Sequence, residues 1–191
     1  MKVLSDIAEI YLGIIQKRNE ILIKNENTRE YKIFSLKCYV ENLEYDTIYT
    51  DKDMTDNLTK KGDLLFRLVS PNRIIIIDER TEGLLVNNQF CIIRPTNFIN
   101  YRYDSNFLKW YLESDIAQRR LEKYLIGIAV RSVPVAKLRE LKVPDLTNKR
   151  MQQITNVIKK WNKQKDLYNE IISLKDRYYS KLISNIIEKG E

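Results

Sequence analysis

The sequence predicts an α+β protein: a β-rich core with flanking helices, followed by one long C-terminal helix of coiled-coil character. Three observations predict it. Residues 31–94 alternate short strand-like apolar runs with turns rich in Gly, Pro and Asn. From Asp104 onward apolar residues recur at helical rather than strand spacing. From Thr147 neither Gly nor Pro interrupts the chain until Gly190. The expected division is a domain over residues 1–146 and a helix over 147–191.

Taken in order, residues 1–15 read as a short amphipathic helix, with Val3, Leu4, Ile7, Ala8 and Ile10 apolar and a stop near Gly13. Tyr31–Leu36 (YKIFSL) alternates as a half-buried strand does. A Gly62–Asp63 turn opens a second strand in TKKGDLLFRLV. Ser70–Arg73 (SPNR) places Pro where a type I turn prefers it. RIIIID (Arg73–Asp78), apolar on both faces, reads as a central strand. Thr81–Gly83 turns the chain again, and LLVNNQFCIIRP supplies one or two more strands ended by Pro95.

Asp104 or Ser105 can cap a helix whose Phe107, Leu108, Tyr111 and Leu112 share a face, and DIAQRRLEKYL continues at helical spacing. Residues 127–146 (GIAVRSVPVAKLRELKVPDL) then give an extended piece, a turn or two of helix and a second extended piece, because each proline disfavours helix at the valine before it. The long helix starts near Thr147 and runs to about Ile187. With Ile154 as heptad position a, its apolar stripe includes Ile154, Val157, Ile158, Trp161, Tyr168, Ile171, Ile172, Tyr178 and Leu182. That stripe spans positions a, d and e, wider than a two-stranded seam requires. At 1.5 Å per residue such a helix is roughly 60 Å long, about twice a small domain's diameter, so it wants a partner helix.

Composition narrows the chemistry. The chain has 191 residues, a formal charge of +7 and no histidine, which removes the commonest general base and metal ligand. Five glycines and no nucleotide-binding or nucleophile-elbow motif leave little for cofactor binding. No cofactor and no metal are expected. Asp63, Asp78, Glu79 and Glu82 have no diagnostic spacing and read as turn and strand-end acids, so catalysis within this chain is not expected. Charge is concentrated late: residues 148–191 hold ten Lys/Arg against five Asp/Glu, and residues 1–147 hold 23 against 21. Such a balance permits phosphate neutralisation without demanding it. Cys38 and Cys91 sit apart in apolar surroundings and read as buried free thiols of a reducing compartment. With no apolar run of bilayer length and no signal-like N-terminus, a cytoplasmic protein is expected.

The order of parts resembles a target recognition domain of the specificity subunit of type I restriction-modification systems. The likeness lies in SDIAEIYLGI, the Gly-Asp-opened KKGDLLFRL, the Arg-Pro-ended NNQFCIIRP, a helix pair, and the passage through Gly127, Val133–Leu138, Leu141 and Val143–Pro144 into the long helix bearing Ile154. It covers nearly the whole chain and rests on order and spacing. Departures are the absence of a Glu-Gln pair before the helix isoleucine, where Arg150–Met151 stand, and Ser70–Pro71–Asn72–Arg73 in place of a glycine-bearing loop.

The resemblance implies a non-catalytic subunit that places a methyltransferase, and in the restriction form a nuclease subunit, on a bipartite double-stranded DNA site. Family members carry two recognition domains and two long helices. This sequence has one of each, so the resemblance implies a half subunit that pairs with a second copy, helices antiparallel, in C₂ symmetry. Base and phosphate contacts call for Arg, Lys, Asn and Gln in loops at strand ends. The candidates are Lys60, Lys61, Arg67, Asn72, Arg73, Asn87, Asn88, Gln89, Arg131 and Ser132. Arg94 reads as structural. Tyr101, Tyr103, Trp110 and Tyr111 can stack on bases, but at helical spacing they read as core. The competing expectation is a coiled-coil adaptor or regulator that binds protein rather than DNA.

Overall fold

The computed structural model describes residues 1–21, 25–42, 44–98, 101–127 and 131–188, apart from the side chains of Asn97, Phe98, Tyr101 and Arg102. It divides into two compact units, Met1–Met151 and Gln152–Glu191.

The first unit is built on a four-stranded antiparallel sheet in the order β2 (Ala8–Leu12), β8 (Phe90–Pro95), β5 (Leu64–Arg67), β6 (Ile74–Ile76). A three-stranded sheet, β4 (Asp46–Thr50), β3 (Arg29–Phe34), β7 (Leu85–Val86), packs beside it. In the second sheet β3 is antiparallel to β4 and parallel to β7. The alternation of the strands sorts their side chains between faces. Leu65, Ile75, Phe90 and Ile92 of the first sheet meet Phe34 and Val86 of the second in one core cluster. Ile33, Ile48 and Leu85, on the far face of the second sheet, form another with Met54.

Leu64, Phe66 and Ile93 are fully buried on the opposite face of the four-stranded sheet. Here α3 (Ser105–Glu113) packs against β6, and α5 (Val135–Arg139) against β2. Asp104 caps α3 by accepting hydrogen bonds from the Asn106 and Phe107 amides, and Ser114 caps α4 (Asp115–Glu122) in the same way. The shorter elements are α1 (Gln16–Asn19), α2 (Leu36–Glu41) and a hairpin of β9 (Asn97–Phe98) with β10 (Tyr101–Arg102).

Three expectations are corrected. The N-terminal segment is not a helix. Lys2–Val3 forms β1, Leu4–Asp6 is one 3₁₀ turn, and Ala8–Leu12 is β2, paired along its length with β8. Ala8 and Ile10 are buried at a spacing of two, which suits a strand as well as the helical pattern did. The isoleucine strand β6 lies at the sheet edge, not its centre. Its two apolar faces are explained by two covers, the core cluster and α3, rather than by two neighbouring strands. SPNR reverses through a bend with a cis Ser70–Pro71 peptide, in place of the expected type I turn.

The passage before the long helix takes the expected form. Ser132 bridges Ile126 and Val69, α5 follows, and β11 (Lys142–Val143) pairs with β1. Val133, Leu138, Leu141 and Val143 are buried, and Tyr103 donates from its hydroxyl to the Pro144 carbonyl at 3.1 Å. Ile128–Val130 lie outside the described residues.

The long helix is α6 (Asn148–Glu188), 41 residues, beginning as expected beside Thr147, whose hydroxyl accepts from the Arg150 amide. Along it Val157, Trp161, Tyr168, Ile171, Ile172, Tyr178 and Leu182 are exposed, from 40% to 67%. Ile154 is half-buried, and Ile158 is 7% exposed. Both cysteines are free and buried. Among the described residues no helix is long and apolar enough to cross a membrane, and no group of His, Cys, Asp and Glu could hold a metal ion.

Candidate nucleic-acid interface

Antiparallel pairing decides which turns meet. Arg67 closes β5 opposite Phe90, the first residue of β8, and Phe66 faces Ile74, the first residue of β6. The β5–β6 bend and the β7–β8 turn therefore emerge at the same end of the four-stranded sheet. A backbone hydrogen bond ties them together, from the Leu68 amide to the Gln89 carbonyl at 2.8 Å, and the Ser70 amide donates to the Arg131 carbonyl of a third segment at 2.9 Å. The Val133 amide donates to the Leu68 carbonyl at 3.0 Å, bringing the 131–133 segment to the same place. The end of β2 joins them, since the Gly13 amide donates to the Phe90 carbonyl and the Ile14 amide to the Val86 carbonyl. A side chain on Gly13 would lie 2.0 Å from the Asn87 carbonyl oxygen, so only glycine permits this approach.

Eight of the ten candidates thus gather at one end: Arg67, Asn72, Arg73, Asn87, Asn88, Gln89, Arg131 and Ser132. The segments that meet there, residues 12–14, 67–73, 86–89 and 131–133, contain three arginines and no Asp or Glu. Arg73 and Arg131 are exposed and Arg67 is partly so. Among the described residues none of the three forms an ion pair. Lys17 and Arg18, both exposed, lie on α1, which packs against β4.

Lys60 and Lys61 lie at the other end of β5, and the environment there differs. Lys61 is 2.6 Å from Glu79, and its amide donates to Glu82. Asp63 turns back to accept from the Lys60 amide at 2.8 Å. Asp63 is 2% exposed and receives Arg94 through two bonds, Nε to Oδ1 at 2.9 Å and Nη2 to Oδ2 at 2.8 Å. Arg94 also donates to the Leu58 carbonyl, and its hydrogen-bonded pairing with Asp63 holds its pKa above the usual arginine value. Arg94 is structural, as expected. Asp78 accepts bonds from the Arg80 and Thr81 amides and the Thr81 hydroxyl, closing its own turn. The acids at this end serve turns and one buried ion pair.

Among the aromatic candidates Tyr103 and Tyr111 are buried in the core, and Trp110 is exposed on α3. The side chain of Tyr101 lies outside the described residues.

The sheet's two ends have opposite character, one mixed and internally paired, the other cationic and rich in amide side chains without a carboxylate nearby in the chain. Guanidinium groups that form no ion pair among the described residues, beside Asn and Gln, make a surface suited to a polyanion that also presents hydrogen-bonding edges.

No protein-family model matches this sequence, and no curated protein matches it. Solved structures do. The S subunit of a type I restriction-modification system from M. genitalium superposes with a TM-score of 0.54 at 16% identity, over 85% of this chain and 38% of that one. The HsdS subunit from Thermoanaerobacter tengcongensis gives 0.57 at 14% identity, over 89% and 43%. A chain from a structural study of complex assembly and conformational transition in the type I R-M system gives 0.56 at 15% identity, over 88% and 43%. The chain therefore has the fold of the type I specificity subunits, and it spans about two fifths of the length of those it matches.

Proposed function

We propose that this chain is a non-catalytic DNA-recognition unit of a type I restriction-modification complex, reading one half of a bipartite duplex site. The observation that carries this is the acid-free cationic end of the four-stranded sheet, where two turns and the 131–133 segment are bonded side by side. A two-stranded β-ribbon fits the major groove, arginine suits guanine edges and phosphates, and Asn or Gln suits adenine. The shared fold supports the same reading.

The second half-site would be read by a second copy of this chain, joined through α6. Its exposed stripe of Val157, Trp161, Tyr168, Ile171, Ile172, Tyr178 and Leu182 supports helix pairing. Charge favours an antiparallel arrangement: residues 148–165 carry six Lys/Arg and no acid, and residues 166–188 carry three against four. Running the helices antiparallel sets each basic half against the other copy's mixed half, and running them parallel sets like against like. The stripe's width leaves apolar surface for a methyltransferase subunit, with a restriction subunit joining the restriction form. Cytoplasmic location belongs to this proposal.

The test is a titration of labelled duplex DNA with the full chain between about 50 and 200 mM salt, with light scattering on the same samples. Binding that weakens linearly on a logarithmic salt scale, by a dimeric species, is expected. Absence of binding at low salt would remove the DNA reading and favour the adaptor. A mass that stays monomeric on concentration would remove the homodimer.

A further inference from the structure

Four amide side chains sit at the cationic end, and their hydrogen bonds divide them. Asn72 gives both amide hydrogens to the backbone, to the Arg67 carbonyl at 2.8 Å and the Leu68 carbonyl at 3.2 Å. Asn87 accepts the Gln89 amide on Oδ1 at 3.1 Å, while its carbonyl accepts the Phe90 amide at 3.0 Å. Each is occupied in holding its own turn. Asn88 and Gln89 are exposed, and among the described residues their side chains make no hydrogen bond.

We propose, resting on the DNA-reading role above, that Asn88 and Gln89 at the tip of the β7–β8 turn are specificity-determining residues that read adenine in duplex DNA. Asn72 and Asn87 are positioning residues that shape the platform beneath them. Reading adenine through N6 and N7 takes one free acceptor and one free donor on the same planar amide. Asn72 has spent its donors and the Asn87 oxygen is held inward against the Gln89 amide, whereas Asn88 and Gln89 keep both donor and acceptor free to turn outward. The tip is also well fixed. The Leu68 amide ties the Gln89 carbonyl to the neighbouring bend, and the contact of Gly13 with the Asn87 carbonyl fixes the turn from the β2 side. A rigid tip loses less freedom when its amides bind. Arg67, Arg73 and Arg131 flank it as phosphate or guanine contacts.

The experiment selects duplexes from a pool with a randomised core using the full chain. It then measures affinity for the enriched duplex and for versions with single A·T pairs changed to G·C. The wild type is expected to lose about tenfold affinity or more on changing the pair that is read. Replacing that adenine by 7-deazaadenine, which lacks N7, should cost the wild type a similar factor. For the N88A or Q89A variant, affinity for the enriched duplex should fall close to that for the changed duplex, and 7-deazaadenine should cost little more. Q89E, an acceptor only, should shift enrichment toward cytosine. Melting curves matching the wild type show that the variants fold.

Full discrimination by the variants, or a wild-type pool without any enriched A·T position, would overturn this proposal and leave DNA binding standing. A wild type that binds no duplex at low salt would overturn the DNA reading itself, and this proposal with it.

Discussion

Arg94 and Asp63 form a nearly closed ion pair, and replacing one leaves the other's charge buried. Asp63→Ala strips the Arg94 guanidinium of its two carboxylate bonds and is expected to destabilise the fold by about 3 kcal/mol, measured by chemical denaturation. Cys91 is fully buried, and its thiol is pushed up to about 12 by that burial. A raised value in the folded state favours the neutral thiol. Its contribution is complete below the ordinary value of about 8.5 and fades as pH rises toward 12. At neutral pH a thiol reagent should therefore modify Cys91 only at the rate the domain opens, and fast modification of the native protein would count against its placement.

Asp78 works in the other direction. Burial raises its pKa, but the bonds from Thr81 and Arg80 outweigh that and hold the carboxyl below its usual value. This stabilisation is present above about pH 4 and is lost as pH falls through the depressed value. Asp78→Asn should flatten the acid limb of the stability profile. Residue-scale roles were partly legible. Arg94 before Pro95 announced a structural arginine, whereas nothing local distinguishes the occupied Asn72 and Asn87 from the free Asn88.

Elements were legible where the signal was local. The Asp104 cap, the proline-bounded passage and the start of α6 all come from chemistry within a few residues, and all stand as expected. Asp104→Ala should cost about 1 kcal/mol through loss of the cap to the Asn106 and Phe107 amides, visible as a lower melting temperature. Elements went wrong where a distant partner decided them. Ala8–Leu12 is a strand because β8 pairs with it about eighty residues later in the chain, against an apolar pattern that fitted a helix equally well. Gly13 shows the same dependence: read as a helix stop, it is needed where β2 meets the Asn87 carbonyl. Gly13→Ala is expected to shift the β7–β8 turn and cost about 1–3 kcal/mol by overpacking against backbone.

At the scale of the molecule, composition and patterning indicated an α+β domain with a long helix, but not which turns share a surface. Lys60, Lys61, Arg67 and Arg73 are close in sequence, yet β5 carries the two pairs to opposite ends of the sheet, and only the second pair meets Asn88 and Arg131. The helix was legible because a heptad stripe is a one-dimensional signal. If α6 pairs as proposed, negative charge placed in its apolar stripe by Ile171→Glu with Leu182→Glu should lower the mass in light scattering from dimer to monomer. The central claim is tested most directly by duplex affinity across a salt series for wild type, an R67E/R73E/R131E variant and a K60E/K61E variant. The account predicts that the arginine variant loses most of its affinity and shows a shallower salt dependence, by about one phosphate contact per arginine, while the lysine variant stays near wild type. Equal losses in the two variants, or none in the arginine variant, would contradict it.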